Sequence, residues 1–216
     1  MLSNLGDIHM NNFGKLFNSL SQTTVESLLN QVPHTFKSYL PQETIFTEVN
    51  FNRQLGILLK GEVQIYKTLS NGSELLLQNL SDDALLGIGY VWGDAEYFPA
   101  TIKAIKPCTI LFIPKDSLKK LFLLEPSILD NFLNSINHSV SYLANKVEML
   151  ALPSVKERLL FVITQSCESN KVISINKSKH CQELSISRAS LYRCLEQLQD
   201  EEYIEIHPDG KIGLCS

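Results

Sequence analysis

The apolar residues of this chain recur at two different spacings, and the spacing changes near Pro114. From about Phe36 to Pro114, short apolar runs such as "EVQIYK" and "TILFIP" alternate with turn residues. Runs of this length and alternation are typical of β-strands. Several closely spaced strands without long helices predict a small β-sandwich or barrel. The segment "SNG", residues 70–72, lies between two such runs and predicts a hairpin turn.

Helical spacing flanks this region on both sides. Before it, Ser21 is a candidate N-cap for a helix ending near Val32. After it, Asp116 is predicted to cap a short helix, and Pro126 to begin a longer one. The apolar stripe that we predict along the longer helix consists of Ile128, Phe132, Ile136, Val140, Leu143, Val147 and Leu150.

The stripe of the long helix drifts into the alternation of a coiled-coil seam, with gaps of 4, 4, 4, 3, 4 and 3 residues. Such a seam could lie against its own sandwich or pair with a second copy of the chain. We favour pairing, because isologous contacts are the commonest homo-oligomer arrangement. Pro153 then ends the helix, because proline lacks an N–H donor and clashes with the preceding turn. We therefore divide the chain into residues 1–125, 126–152 and 153–216.

The C-terminal part predicts two helices separated by a very short turn. Asn176 can cap the first, which ends near Leu184, and Ser187 can cap the second. "YIEIHPDGKIGL" then predicts two short strands about a Pro-Asp-Gly turn. Together these elements form a winged helix-turn-helix. The inner stripe of its second helix is Leu191, Cys194, Leu195 and Leu198.

The outer face of that second helix begins with basic residues. Residues 171–193 contain five basic residues and one acidic residue, a local charge of +4, although the whole chain carries −4. Arginine can hold guanine O6 and N7 with two hydrogen bonds, so Arg188 and Arg193 are the predicted base readers. Lys177, Lys179 and Ser190 are predicted to contact phosphates. The complete predicted DNA-binding set is Lys177, Lys179, Ser187, Arg188, Ala189, Ser190, Tyr192 and Arg193.

Composition and cysteine usage indicate the cellular compartment in which the protein is expected. The apolar runs are too short to cross a bilayer, and the first residues lack the pattern of a secretory signal. The five cysteines are scattered without a CxxC pair, so neither a disulfide framework nor a zinc finger is expected. We expect a cytoplasmic protein whose thiols are small buried apolar groups, with no metal site.

"LGILLKGEVQIYK", a long helix and "SISRASLYRCLEQL" occur here in the order found in the Crp/Fnr family of bacterial transcription regulators, which the chain resembles from about residue 12 to 214. The resemblance implies an α+β fold. Its parts are an N-terminal jelly-roll sensory domain that is cyclic-nucleotide-binding-like, a dimerisation helix and a winged helix-turn-helix. It also implies a homodimer on a palindromic operator of double-stranded DNA, contact with RNA polymerase if the protein is an activator, and a small-molecule effector in many members.

The chain departs from the members that bind cyclic nucleotides. Gly87 matches their phosphate cassette, but Ile88 stands where they have Glu and Phe98 where they have Arg. Leu143 and Ala144 stand where they offer hydroxyl groups to the base. A buried phosphate without a cation opposite it would cost several kcal/mol. Cyclic AMP is therefore not the expected effector.

Two interpretations of the region around these residues stay open. It could form a cavity that admits an apolar or aromatic ligand, or its side chains could simply fill the sandwich. The residues that we assign to the candidate effector pocket are Gly87, Ile88, Tyr90, Trp92, Phe98, Ala100, Leu143 and Ala144.

Other sensors of the family are not expected either. Iron–sulphur members use cysteines near the N-terminus, whereas the first cysteine here is Cys108. Haem needs placed ligands, and His9 and His34 are the only histidines before the long helix.

Ala189 stands where the family commonly has a glutamate on the recognition helix, so acceptance from a cytosine amino group is lost. The operator sequence should therefore differ from the best-known operators of the family.

Three functions compete. The first is a dimeric transcription regulator, in which an effector moves the winged helix-turn-helix relative to the long helix about a hinge at residues 152–154. The second is a cupin-like metal-dependent enzyme, but two distant histidines in the first 115 residues argue against a ligand set. The third is an interaction module that no longer reads DNA, against which the presence of Arg188 and Arg193 argues. The sequence favours the regulator and predicts no enzyme activity.

Overall fold

The computed structural model describes residues 13–47, 52–93, 98, 100–167, 172–174, 176–184 and 186–215. His9 lies outside the described residues, as does Tyr97, an aromatic residue next to Phe98 of the candidate effector pocket. The side chain of Lys179 is not described. The chain forms two compact units, residues 1–139 and 140–216. The division falls within the helix predicted to begin at Pro126.

The first unit is the predicted β-sandwich. Within its described residues, eight strands form two four-stranded antiparallel sheets, in the orders β1-β8-β3-β6 and β2-β7-β4-β5. The strands are β1 Thr35–Tyr39, β2 Thr44–Phe46, β3 Gln54–Lys60, β4 Glu62–Thr68, β5 Glu74–Ser81, β6 Leu85–Leu86, β7 Thr101–Ala104 and β8 Cys108–Pro114.

One core of buried apolar side chains joins the two sheets. Leu55 and Ile57 of β3 are fully buried with Ile102 of β7 and Ile110 of β8. The predicted hairpin turn connects β4 to β5, where the N–H of Leu69 donates to the carbonyl of Ser73 over 2.8 Å. This turn was correctly predicted.

Helices flank the sandwich as expected, but two details differ. Helix α1, Gln22–Leu29, is capped by Ser21, whose Oγ accepts from the N–H of Thr24 over 3.2 Å. Helix α1 ends before Val32, a buried residue whose N–H donates to the carbonyl of Leu29 in a turn. The structure also has a separate 3₁₀ turn, Lys15–Phe17, before α1.

Asp116 is not the cap of the next helix, so that prediction is wrong. Helix α2, Lys115–Leu124, has Pro114 at its N-cap position, and Asp116 lies in its first turn, paired with Lys119 over 3.2 Å. Because proline already has an extended backbone and no N–H, the helix can begin directly after it. Helix α3, Pro126–Ala151, begins at the predicted proline and has 26 residues.

The described part of the second unit contains three further helices and a three-stranded sheet in the order β10-β11-β9. Both helices of the predicted helix-turn-helix and the hairpin are present, whereas β9 was not predicted. The elements are α4 Val155–Cys167, β9 Val172–Ser174, α5 Lys177–Leu184, α6 Arg188–Asp200, β10 Ile204–Ile206 and β11 Lys211–Leu214. Among the described residues, no helix is long and apolar enough to cross a membrane.

Candidate nucleic-acid interface

Helix α6 begins at a serine cap. Ser187 has extended backbone angles, φ −73° and ψ 155°, and its Oγ accepts from the N–H of Ser190 over 3.1 Å. The two serine hydroxyls lie 3.0 Å apart. The cap satisfies one of the free N–H groups at the helix start, which fixes where the helix begins. The half-buried Ser190, predicted to contact a phosphate, belongs to this cap.

The inner face of α6 anchors it to the rest of its unit. Leu191 and Leu198 are fully buried, and Cys194 and Leu195 nearly so. They belong to the same core as Leu159 of α4. The predicted inner stripe is therefore confirmed, and burying it orients the opposite face outward.

The outer face of α6 carries the predicted readers. Arg188, Ala189, Tyr192 and Arg193 are all exposed, and positions separated by three or four residues lie on one side of a helix. The structure thus brings both arginines to the exposed face of the first two turns. Four acidic residues follow the arginines along the chain, the first of them one turn after Arg193: Glu196, Asp200, Glu201 and Glu202.

One of these acidic residues is neutralised locally. The Lys156 ammonium lies 2.7 Å from the Glu201 carboxylate, and this hydrogen bond raises the pKa of Lys156. The contact joins the start of α4 to the end of α6. The ion pair therefore neutralises one acidic side chain at the C-terminal end of α6.

The first helix of the motif contacts the second through its leading residue. The Lys177 amino group donates to the Tyr192 hydroxyl over 2.9 Å and lies 4.7 Å from the centre of the tyrosine ring. At the turn between the helices, the N–H of Ile186 donates to the carbonyl of Cys181 over 2.9 Å. Ile186 packs against the core, which closes the turn from inside.

The wing has the turn that the sequence predicted. The N–H of Gly210 donates to the carbonyl of His207 over 2.8 Å, and Gly210 has a φ of 79°, a conformation that favours glycine. Asp209 accepts from the N–H of Lys211 over 3.1 Å and pairs with its ammonium group at 2.7 Å. These two hydrogen bonds hold the pKa of Asp209 below its usual value.

Helix α3 carries two apolar stripes rather than the single stripe predicted. Ile128 and Phe132 are buried in the sandwich core, and Ile136 packs against that core. Val140, Leu143, Val147 and Leu150 are exposed by 45–68%.

Leu129 and Leu133, which sequence reasoning missed, are also exposed, by 37% and 48%. They extend the exposed stripe toward the helix start and replace Ile128 and Phe132 in it. The α3 seam is our name for this stripe, which includes the half-buried Ile136 between exposed members: Leu129, Leu133, Ile136, Val140, Leu143, Val147 and Leu150.

The spacing of the α3 seam could have revealed it. Its gaps are 4, 3, 4, 3, 4 and 3 residues, which is the strict alternation of a two-stranded coiled coil. The predicted stripe mixed this seam with the residues that face the sandwich, because both stripes are apolar and adjacent on the helix.

The candidate effector-pocket residues separate into buried and half-exposed groups. Ile88, Phe98 and Ala100 are buried in the sandwich core. Tyr90 packs edge-to-face on Phe98 with ring centres 5.2 Å apart. Gly87 has a φ of 76°, and its carbonyl accepts from the N–H of Tyr90 over 3.0 Å.

The other members of that set lie elsewhere. Trp92 is 38% exposed and stacks on Phe122 with ring centres 5.4 Å apart. Leu143 and Ala144 are exposed and belong to the second unit. Two surface depressions are lined by other residues: Lys37, Ser38, Tyr39, Glu43 and Thr44 in one, and Lys60, Gly61, Glu62, Ser81, Asp82, Lys106 and Pro107 in the other. The effector pocket stays a prediction.

Three of the five thiols are buried. Burial raises the pKa of Cys108, Cys167 and Cys194, which keeps them protonated. Cys181 is half-buried, and Cys215, by contrast, is exposed. Across the part of the chain that the structure describes, no group of three His, Cys, Asp or Glu side chains could hold a metal ion.

Comparison with known proteins identifies the class of this fold. Residues 36–124 match the family model of the cyclic nucleotide-binding domain. The cAMP-activated global transcriptional regulator CRP of Pasteurella multocida (strain Pm70) is 24% identical over 158 residues, which are 69% of this chain and 76% of that protein.

Solved structures resemble nearly the whole chain. A CooA mutant from Carboxydothermus hydrogenoformans has a TM-score of 0.68 at 16% identity, covering 94% of this chain and 91% of that one. The Thermus thermophilus catabolite activator protein has a TM-score of 0.56 at 18% identity, covering 93% of each chain. FixK2 from Bradyrhizobium japonicum has a TM-score of 0.58 at 15% identity, covering 85% of this chain and 93% of that one.

The fold is thus a cyclic nucleotide-binding-like jelly roll followed by a winged helix-turn-helix. The predicted resemblance to the Crp/Fnr family of transcription regulators is confirmed by the domain match, the curated relative and the structural neighbours together.

Proposed function

We propose that this chain is a homodimeric, sequence-specific DNA-binding transcription regulator of the Crp/Fnr type. The observation that carries the proposal is the exposure of Arg188 and Arg193 on the outer face of a capped recognition helix. A recognition helix enters the major groove with its N-terminal residues toward the base edges. There an arginine can hold a guanine through two hydrogen bonds.

The pattern of charge supports contact with DNA at this end of the unit. Lys177 and the two arginines are exposed near the start of α5 and α6, and the acidic residues follow later on α6. Because the whole chain carries −4, attraction to DNA has to come from this local region.

The α3 seam supports the homodimer. Six of its seven apolar side chains are exposed by 37–68% in the isolated chain. Water-exposed apolar residues at strict heptad spacing are stabilised by pairing with the same seam of a second copy. A two-fold symmetric dimer would present two copies of α6 to a palindromic operator.

The regulatory input is proposed to be different from that of cyclic-AMP-binding relatives, or to be absent. Ile88 and Phe98, which stand where those relatives have a carboxylate and a guanidinium, are buried apolar groups of the sandwich core. A cyclic phosphate at this position would have neither charged partner. We likewise propose no haem and no iron–sulphur cluster.

The proposed regulator has no catalytic activity. We propose that it is cytoplasmic, and that it contacts RNA polymerase if it is an activator.

Selection of bound fragments from a random duplex pool tests this function directly. The purified chain should enrich a two-fold symmetric site containing G·C pairs at the positions that the arginines read. Adding small molecules from a cell extract to a parallel selection reports whether an effector is needed. If no duplex is enriched at low salt in either arm, the proposed function is wrong.

A further inference from the structure

We propose that Lys177 and Tyr192 form a two-donor clamp for one phosphate group of the DNA backbone, so that Tyr192 holds the backbone rather than reads a base. This inference rests on the proposed function, because it assigns a role within the DNA-binding surface. It differs from the sequence prediction, in which Tyr192 belonged to the surface without a role of its own.

The two side chains come from different helices and meet on the exposed side of the motif. Lys177 is the first residue of α5, and Tyr192 lies in the second turn of α6. The lysine nitrogen is 2.9 Å from the tyrosine oxygen and 4.7 Å from the ring centre. Lys177 is exposed, and Tyr192 is exposed by 45%. The pair is therefore both assembled and accessible.

The direction of this hydrogen bond determines what the pair can bind. An ammonium group has three donors and no acceptor, so the tyrosine oxygen must accept. The tyrosine O–H proton then points to a different partner, which has to be an acceptor. The ammonium retains two further N–H donors. Two neighbouring donors of this kind, one of them charged, suit the oxygens of a single phosphate.

The surroundings favour an anion at this point. The N-terminus of α5 contributes the partial positive charge of the helix dipole, beside the charge of Lys177. Arg188 lies one turn before Tyr192 on α6, and Arg193 follows it directly. In a helix-turn-helix, the first helix crosses the DNA backbone while the second enters the groove. A residue at the start of α5 is thus placed for a phosphate.

Preassembly gives the clamp its advantage over an isolated lysine. A free lysine side chain has many rotamers and loses them when it binds. The hydrogen bond and the cation–π contact with Tyr192 already restrict Lys177 in the unbound chain. Less conformational entropy is therefore lost when the phosphate is bound.

The test compares Tyr192→Phe, Lys177→Gln and the double variant on the selected operator and on a random duplex. The Phe substitution keeps the ring and removes only the O–H group. Each single variant should weaken binding to both duplexes by the same factor, about 5- to 10-fold, as expected for loss of a charge-assisted hydrogen bond. The double variant should be little weaker than Lys177→Gln, because both groups hold one phosphate.

The dependence of DNA affinity on salt concentration distinguishes the charged contact of Lys177 from the neutral contact of Tyr192. Lys177→Gln should reduce the slope of log affinity against log salt by about 0.9, the value for one phosphate contact, whereas Tyr192→Phe should leave the slope unchanged. Tyr203→Phe and Lys67→Gln, at exposed positions outside this surface, should bind like the wild type. Operators carrying one neutral methylphosphonate should then reveal one position per half-site at which the wild type and both variants bind equally.

Three results would overturn the clamp. In the first, Tyr192→Phe changes the preferred base at one operator position, which would make Tyr192 a base reader. In the second, both single variants bind both duplexes like the wild type. In the third, no methylphosphonate position removes the difference. Failure of the proposed function looks different, because the wild-type chain itself would then bind neither duplex.

Discussion

Leu191 and its two flanking pairs show how single residues determine the direction of the candidate reading face. Leu191 is fully buried, whereas Arg188 and Ala189 before it and Tyr192 and Arg193 after it are exposed. A buried leucine at this position fixes the rotation of α6 about its axis, because turning it outward would expose its side chain at a cost of roughly 1.5–3 kcal/mol. The arginines are therefore held on the solvent side.

Replacing either arginine tests this assignment. Arg188→Ala and Arg193→Ala should each weaken binding to the selected operator by about 10- to 100-fold, and each should relax the preference at one base pair, because a bidentate contact to guanine is lost. Repeating the pool selection with each variant measures both effects.

Arg53→Ala is the control, because Arg53 is an exposed arginine of the sandwich unit. It should bind with wild-type affinity and preference. Wild-type binding and preference by both α6 variants would show that these arginines do not read bases.

Among the elements, α3 best illustrates which features of a helix can be predicted from the sequence and which depend on tertiary packing. The start of α3 at Pro126 was predictable, because proline is preorganised for the first helical turn. The division of its apolar residues between two faces is not evident from hydropathy, because Ile128 and Leu129 are equally apolar and adjacent. The strict heptad spacing that starts at Leu129 is the sequence signal for the seam, and the residues of the other face are identified by their tertiary packing in the sandwich core.

The same distinction applies to the other elements. The limits of α5, the start of α6 at its Ser187 cap and the wing turn were predicted correctly, because caps and turn residues are local signals. Strand β9 has three residues and exists through pairing with β11, where Ile173 lies opposite Ile212. No local pattern in three residues can predict such a strand.

Charge introduced into the α3 seam should separate the dimer. Leu133→Glu or Val147→Glu would bury a carboxylate without a partner, which costs several kcal/mol. We expect each variant to be monomeric at micromolar concentration, where the wild type is dimeric. Sedimentation equilibrium measures the association constant.

Two comparisons sharpen this test. Asn145→Glu places the same charge on an exposed site two residues beyond Leu143, roughly on the opposite side of the helix, and should leave the dimer intact. Phe132→Ala removes a buried ring of the sandwich core and should lower the stability of that unit by about 3–5 kcal/mol without a direct effect on pairing. If the seam variants remain dimeric, another surface holds the chains together.

At the scale of the molecule, each of the two units has its own core, and α3 is continuous from the first into the second. We therefore propose separate roles in dimerisation and DNA binding for the two units. The sandwich unit contributes the first part of the seam, and the second unit contributes the rest of the seam and the reading surface. An effector could act only by binding two arrangements of these units with different affinities.

The most direct test of the central claim, that paired copies of α6 read two half-sites, is the mass and affinity of the complex as a function of half-site spacing. Light scattering should give two chains per duplex, and affinity should be highest when half-site centres lie about 10 base pairs, or roughly 34 Å, apart. Insertion of about five base pairs should weaken binding at least 100-fold, because the second α6 would face the wrong side of the duplex. One chain per duplex, with equal affinity at every spacing, would contradict the account.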